Sequence, residues 1–322
     1  MKDFLDSLEE EAQNSGLLPP KLFRYRNRVG FITGLYHGRG GTFSSTTFTA
    51  SSETFLGKVG AFAQNNYYKI LVKRLKHILH TLQLQNFLPK EGNRIFCNSS
   101  YPEKHFAYYS GLGQRGKNSL ILVPGFGSFL VLGGILFSEQ RGKKPLPDRI
   151  PEVPFEPYPL KSKAFPLCGT CRKCQEACPT GALEVTGHLN TLRCLQTYAS
   201  HSLPLPRDIQ FSWGNLFYGC DICQEACPYN TVTNPIKSLD LATLSTQGFL
   251  GSSVDLVQVL DTPIDLLKKI LFRSTVLDVG WISPFTLKRS ALLALKHQGG
   301  DPNPWLATSL PKGSLFFAKE IR

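Results

Sequence analysis

The sequence predicts an α+β protein in three parts. Residues 1–145 form a unit of alternating helices and strands, residues 146–163 a linker, residues 164–235 a cysteine-dense segment, and residues 236–322 a helical segment. Three observations carry this reading. From Tyr67 to Leu84 apolar side chains recur at helical spacing, and short strand and helix patterns follow at Arg94–Cys97 and Glu103–Tyr109. Eight of the nine cysteines lie between Cys168 and Cys227. Beyond Asn230 the cysteines stop and amphipathic helical patterns return. A chain of 322 residues has room for two or three compact units.

The elements follow in order. Residues 4–13 pattern as a short amphipathic helix, with Phe4, Leu5 and Leu8 opposite Glu9, Glu10 and Glu11. This acidic start lacks the basic and apolar run of a secretory signal, so export is not expected. Gly34 to Ser52 is rich in Gly, Ser and Thr and reads as loop. The Tyr67–Leu84 helix sets Tyr67, Ile70, Leu71, Leu75, Ile78, Leu79 and Leu82 at helical spacing and leaves Lys69, Lys73, Arg74 and Lys76 on the more polar side. The glycine loop GLGQRGKN spans Gly111–Asn118. Ser119–Phe137 is uncharged and near membrane-spanning length, but Pro124, Gly125 and Gly127 interrupt it, which predicts a buried β-hairpin and no membrane span. A proline- and charge-rich stretch then reads as the linker. Asp261–Arg273 and Pro284–His297 read as a helix pair that could be one helical repeat.

Lys and Arg exceed Asp and Glu by 36 to 24, a formal charge of +12 that suits a polyanionic partner such as nucleic acid.

Cys168, Cys171, Cys174 and Cys178 have the spacing C-x2-C-x2-C-x3-C-P, the bacterial ferredoxin pattern for [4Fe-4S] clusters. Soft thiolates are the ligands such clusters select. The second set is irregular: Cys194 stands far upstream of Cys220, Cys223 and Cys227. The fourth cysteine of such a run ligates the other cluster in two-cluster ferredoxins. We therefore assign Cys168, Cys171, Cys174 and Cys227 to one cluster and Cys178, Cys194, Cys220 and Cys223 to the other. Disulfides would need an oxidising compartment. Two four-thiolate zinc sites would use the same cysteine count, but the Cys-Pro spacing favours iron and sulfur.

Three stretches, NYYKILVKRLK at Asn66, PEKHFAYYSGLGQRGKNSLIL at Pro102 and the cysteine window ending in GCDICQEACPYN, resemble the epoxyqueuosine reductase family over roughly residues 60–300. The resemblance implies a cobalamin-binding α/β domain, two [4Fe-4S] clusters that pass electrons to cobalt, and HEAT-like C-terminal helices that help hold tRNA. It implies a cytoplasmic enzyme that removes the epoxide oxygen from a modified base in a tRNA anticodon loop to give queuosine, supplied by a low-potential electron donor. It sets Tyr68, Gly113, Lys117, Asn118 and Ser119 against the corrin. At the family's proton-donating Asp stands Cys97, a candidate acid or a packing residue. Its Asp-Tyr-His reads Asn66, Tyr67, Tyr68, and its Leu-Gly-Glu reads Leu132, Gly133, Gly134. These departures keep two alternatives open: a reductive-dehalogenase-like reductase of a small molecule, and a non-enzymatic ferredoxin-type electron carrier.

Overall fold

The computed structural model describes residues 3–40, 48, 55–138, 146–147, 149–155, 165–231, 249–272, 274 and 282–309. Most of the Gly-Ser-Thr stretch, parts of the linker and the start and end of the helical segment lie outside the described residues. The strands in chain order are β1 (Lys21–Tyr25), β2 (Arg28–Tyr36), β3 (Leu56–Val59), β4 (Arg94–Cys97), β5 (Gln114–Arg115), β6 (Ile121–Leu122), β7 (Leu130–Phe137), β8 (Leu216–Tyr218) and β9 (Ser253–Asp255). The chain divides into two compact units, neither a single run of residues. The first comprises Met1–Gly38, Tyr67–Arg172 and Cys227–Leu241; the second comprises Arg39–Asn66, Lys173–Ala226 and Ala242–Arg322.

In the first unit, helices α1 (Phe4–Asn14), α2 (Tyr67–Leu84) and α3 (Glu103–Tyr109) accompany a four-stranded sheet of order β1-β2-β7-β4. Strand residues point alternately to its two faces. Val29, Phe31, Leu35 and Ile135 join α1 and the Leu71, Leu75, Ile78, Leu82 stripe of α2 in one core. Phe23, Ile32, Phe96 and Leu136 join Phe106 of α3 in another, with the Phe23 and Phe106 rings stacked at 4.3 Å. The helix period of α2 is thus explained by burial of one face, while Lys69, Lys73 and Lys76 stay exposed.

All pairings of this sheet are antiparallel. A two-residue turn at Arg26, which adopts φ 56°, joins β1 to β2 and forces that direction. The Ser119–Phe137 hairpin does not form as one: β6 pairs with β5, and β7 runs between β2 and β4, leaving a lone Val123–Gly127 bridge to close the turn. The eight residues of β7 bury more surface between the nine-residue β2 and the four-residue β4 than against a two-residue strand. A side chain on Gly134 would strike the Phe31 carbonyl, so this close approach of β2 and β7 admits only glycine there. Part of the stretch read as linker pairs with β1. Arg24 N donates to Pro151 O at 2.7 Å and Val153 N to Arg24 O at 2.8 Å, covering the outer edge of β1.

The second unit holds α4 (Lys173–Glu176), α5 (Leu195–Ser200), α6 (Arg207–Phe211), α7 (Ile222–Glu225), α8 (Leu256–Asp261), α9 (Ile264–Leu271) and α10 (Pro284–His297). Its sheet has order β8-β3-β9, parallel between β3 and β8 and antiparallel between β3 and β9. The expected C-terminal helix pair appears as α9 and α10. Ser283 caps α10, its Oγ accepting from Phe285 N at 3.3 Å, and Pro284 occupies the first turn. Leu287, Ala291, Leu292 and Ala294 bury α10 in a core with Trp213, Phe217 and Leu256. Among the described residues no helix is long and apolar enough to cross a membrane.

Candidate functional site

The cysteine window is built on a repeat, CRKCQEACP from Cys171 and CDICQEACP from Cys220. Each copy forms a single helical turn, α4 as KCQE and α7 as ICQE, and the two turns pack together within the second unit. Four-residue helices are not stable alone, so ligand chemistry and neighbouring structure must hold them. The Cys220 copy is tied down by backbone approach. Gly219 adopts φ 89°, and a side chain there would stand 2.7 Å from Gly60 Cα. Next to it the buried Asp221 carboxylate accepts from Ala61 N at 2.5 Å. Cys220 N donates to Gln196 Oε1 at 3.1 Å, which joins this copy to α5 directly after Cys194.

Burial pushes the Cys220 thiol up to about 12, and Cys194 and Cys178 are among its electrostatic neighbours. Burial likewise raises Cys223, which senses Cys220, Cys194 and Cys174. In the first unit burial raises Cys227, which senses Cys168 and Cys171. The second unit therefore holds Cys174, Cys178, Cys194, Cys220 and Cys223, and the first holds Cys168, Cys171 and Cys227. Thiols this reluctant to ionise become thiolates when a metal's charge replaces lost hydration, so the donor set fits iron-sulfur ligation. Among the described residues no three Cys, His, Asp or Glu are drawn together tightly enough to hold a single ion; a cube takes each thiolate at a different corner and does not ask for that spacing.

A second constellation lies at one end of the first unit's sheet. The register pairs Cys97 at the end of β4 with Gly133, and Tyr36 at the end of β2 with Leu130. Cys97 Sγ lies 4.0 Å from Tyr68 O at the start of α2. His37 stacks on Tyr67 at 4.8 Å, Phe129 meets it edge-on at 6.2 Å, and Tyr36 meets Phe126 at 5.8 Å. Cys97 and Tyr68 are thus brought together as expected candidates, while His37 escapes sequence reasoning because it sits in a stretch that reads as loop. Burial lowers His37 to about 4, against an opposing hydrogen bond between Nδ1 and Gly38 O at 2.8 Å. The neutral ring donates there and keeps Nε2 as an acceptor.

This titration has a stability consequence. A histidine depressed in the folded state leaves the unfolded chain binding more protons between pH about 4 and 6.5, so stability is complete above 6.5 and falls as pH drops through that window. His37→Phe keeps the stack and should flatten the acid limb of a thermal-shift profile relative to the parent chain; parallel limbs would sink this assignment.

Burial, and secondarily Glu103, also raises the Cys97 thiol well above the ordinary range. Glu103, at the first turn of α3, is itself raised by burial, partly offset by hydrogen bonds. Its Oε1 accepts from Ser99 N and Ser99 Oγ, each at 2.9 Å. The sequence signal for Glu103 was only its position in the PEKHF segment.

Gly113 is bare because a side chain would meet Ile121 Cγ2 at 2.6 Å and Leu122 O at 2.8 Å. Asn118 is buried and its Oδ1 accepts from Leu120 N at 3.2 Å. Ser119 takes φ 65°, and its carbonyl accepts from Lys104 Nζ at 3.2 Å. Lys117 Nζ donates to Gly169 O at 2.7 Å and Cys171 O at 2.9 Å. Gly113, Lys117 and Asn118, all expected at a corrin, spend these groups inside the unit.

Residues 167–230 match the model of the 4Fe-4S double cluster binding domain. An epoxyqueuosine reductase of Bacillus anthracis is 32% identical over 235 residues, covering 72% of this chain and 54% of that protein. The chain is a homologue of the epoxyqueuosine reductases. The Bacillus subtilis epoxyqueuosine reductase is 36% identical over 153 residues, 46% of this chain and 35% of its own length. Among solved structures, the epoxyqueuosine reductase of Streptococcus thermophilus aligns with TM-score 0.64 at 22% identity, covering 85% of this chain and 65% of its own. Another, an epoxyqueuosine reductase with a tRNA-Tyr epoxyqueuosine-modified stem loop, aligns with TM-score 0.58 at 22% identity, covering 84% and 64%. These likenesses establish the mixed helix and sheet fold. The chain spans about half the length of the first curated relatives it matches, 54% of the Bacillus anthracis protein. Homology to the epoxyqueuosine reductases and the double cluster domain together make the iron-sulfur clusters part of this protein.

Proposed function

We propose that the chain is a reductase that converts epoxyqueuosine to queuosine in a tRNA anticodon loop, in the cytoplasm, drawing electrons from a low-potential donor. The observation that carries this is the alignment with epoxyqueuosine reductases over 235 residues, 72% of the chain, together with the eight cysteines of the double cluster domain. Loss of the epoxide oxygen as water consumes two electrons and two protons. Two one-electron clusters match that demand. We assign Cys168, Cys171, Cys174 and Cys227 to one and Cys178, Cys194, Cys220 and Cys223 to the other, on the sequence spacing. The +12 charge favours an anionic partner of this size. The C-terminal helices are proposed as its HEAT-like support, and cobalamin as the cofactor.

Does the chain fit a corrin? Tyr36, His37, Tyr67, Phe126 and Phe129 form an aromatic group at the sheet end, as a broad flat macrocycle requires. In this reading Tyr68 and those rings hold the corrin, and the glycine loop frames it without lending Lys117. When bound, cobalamin supplies strongly reducing cobalt. The remaining chemistry belongs to side chains. The aromatic wall excludes water and orients the base. Glu103 carries the proton on Oε2, because Oε1 is already held by two donors from Ser99. Burial raises this carboxyl toward the neutral range where a general acid works best. Cys97, its thiol pushed up and its Sγ beside a backbone carbonyl, packs the wall.

Oxygen-free protein, loaded with cobalamin and reduced, should convert an epoxyqueuosine-bearing stem loop to queuosine. Glu103→Gln should lower turnover by more than about tenfold with iron content kept, and Cys97→Ser by less than about twofold. The reverse ranking assigns the proton to Cys97. Absence of any conversion by an iron-replete, corrin-loaded chain removes tRNA as the substrate and favours a small-molecule reductase.

A further inference from the structure

We infer that Lys117 is a positioning residue for the first iron-sulfur cluster, holding its ligand loop by two backbone hydrogen bonds and raising its reduction potential by placing a cation beside it. The inference rests on the ligand set proposed above and not on the identity of the substrate.

Lys117 Nζ reaches across more than fifty residues of sequence to Gly169 O at 2.7 Å and Cys171 O at 2.9 Å. Both acceptors lie in the turn that carries Cys168 and Cys171. That turn has little else of its own: Cys168 N and Gly169 N both donate to Phe165 O, and Cys171 N donates to Cys168 O at 2.8 Å. It is closed further by Tyr229 OH, which donates to Leu167 O at 2.7 Å two residues after Cys227. Gly169 adopts φ 47° and is exposed, with nothing within 4 Å of a Cβ position, so packing does not brace it. Two charge-assisted hydrogen bonds from one ammonium therefore supply much of its positioning.

The lysine itself is aimed. Asn118 Oδ1 accepts from Leu120 N, and Gly116 N donates to Leu120 O at 2.8 Å, which folds the loop around the β5–β6 ladder. Lys117 is only part-exposed, so its side chain does not sample solvent as a surface lysine would. Reducing a cube adds one negative charge. A fixed cation hydrogen-bonded to the backbone of a ligand residue stabilises the more negative state, and net charge and hydrogen bonding are the terms that set such potentials. Arginine at 117 preserves the charge; methionine preserves the stem and removes it.

The test uses the full chain, purified without oxygen, as K117M, K117R and the parent. Iron and sulfide are measured, then each cluster's midpoint is followed by electron paramagnetic resonance in a redox titration. Expected for K117M is full iron with one midpoint lowered, so that the reduced-to-oxidised ratio of that cluster at fixed poise falls about tenfold, or about 59 mV for one electron. K117R should stay within about twofold of the parent. Loss of one cluster in K117M that K117R restores also supports the inference. Full iron with both midpoints unchanged in K117M overturns it, as does a loss that K117R fails to restore or that strikes both clusters equally. A Cys171→Ala control that keeps both cluster signals overturns the ligand set instead, and is read separately.

Discussion

Cys220→Ala should leave the protein with about half its iron and no measurable reductase activity. Cys220 sits where three independent constraints meet: the tight Gly219–Gly60 approach, the Asp221 carboxylate on Ala61 N, and the bond from its own amide to Gln196. The backbone is thereby fixed before any metal arrives, with the thiol pushed up to about 12 by burial among Cys194 and Cys178. Removing the sulfur leaves three ligands on that cube and turns a preorganised pocket into a void. Because binding free energy of a metal site is folding free energy, α7, a single turn, should lose its support and the midpoint of thermal unfolding should fall with the iron. The measurement is iron and acid-labile sulfide per chain, with the remaining cluster's spectrum as internal reference. An unchanged iron content would remove Cys220 from the ligand set, and a total loss would show that the clusters assemble as one.

Arg289→Met should cost about 3–5 kcal/mol, because it removes the shared donor of three backbone carbonyls. Arg289 is 1% exposed in the middle of α10. Its guanidinium donates from Nη1 to Leu203 O at 2.7 Å and from Nη2 to Tyr198 O at 2.6 Å and His201 O at 2.9 Å. Tyr198 belongs to the last turn of α5, whose carbonyls have no partner within the helix, so one side chain caps a helix that begins directly after Cys194. Methionine fills the volume but orphans three carbonyls, each costing roughly 1–3 kcal/mol when left dry. A fall on the order of 10 °C in the unfolding midpoint is expected, with earlier loss of iron from the cluster that Cys194 serves. A change of less than about 2 °C would mean that water replaces the guanidinium without penalty.

Much of this was visible before folding. Helix α2 was readable because burial of one face writes a period of 3.6 into the sequence, and Tyr67–Leu84 emerged with the expected ends. Strand β4 and helix α3 followed for similar reasons. Strands β1 and β2 were not readable. β2 is buried almost throughout, so it carries no alternation, and the turn at Arg26 lacks the glycine that marks a hairpin. The partner of β7 was likewise hidden, since a run of branched apolar residues reports that a strand is buried and not which strand it meets.

The sequence alone determined the metal chemistry: four cysteines at ferredoxin spacing and a second Cys-Pro set name their cofactor because ligand geometry is local, set by two or three residues of backbone. It also determined the kinship with the reductases. Only the tertiary structure decided where Lys117 spends its charge, that Glu103 acts electrostatically on Cys97, and that His37 stacks on Tyr67. Those facts depend on contacts between residues far apart in the chain, and side-chain type constrains such contacts only weakly until the core has placed the backbone.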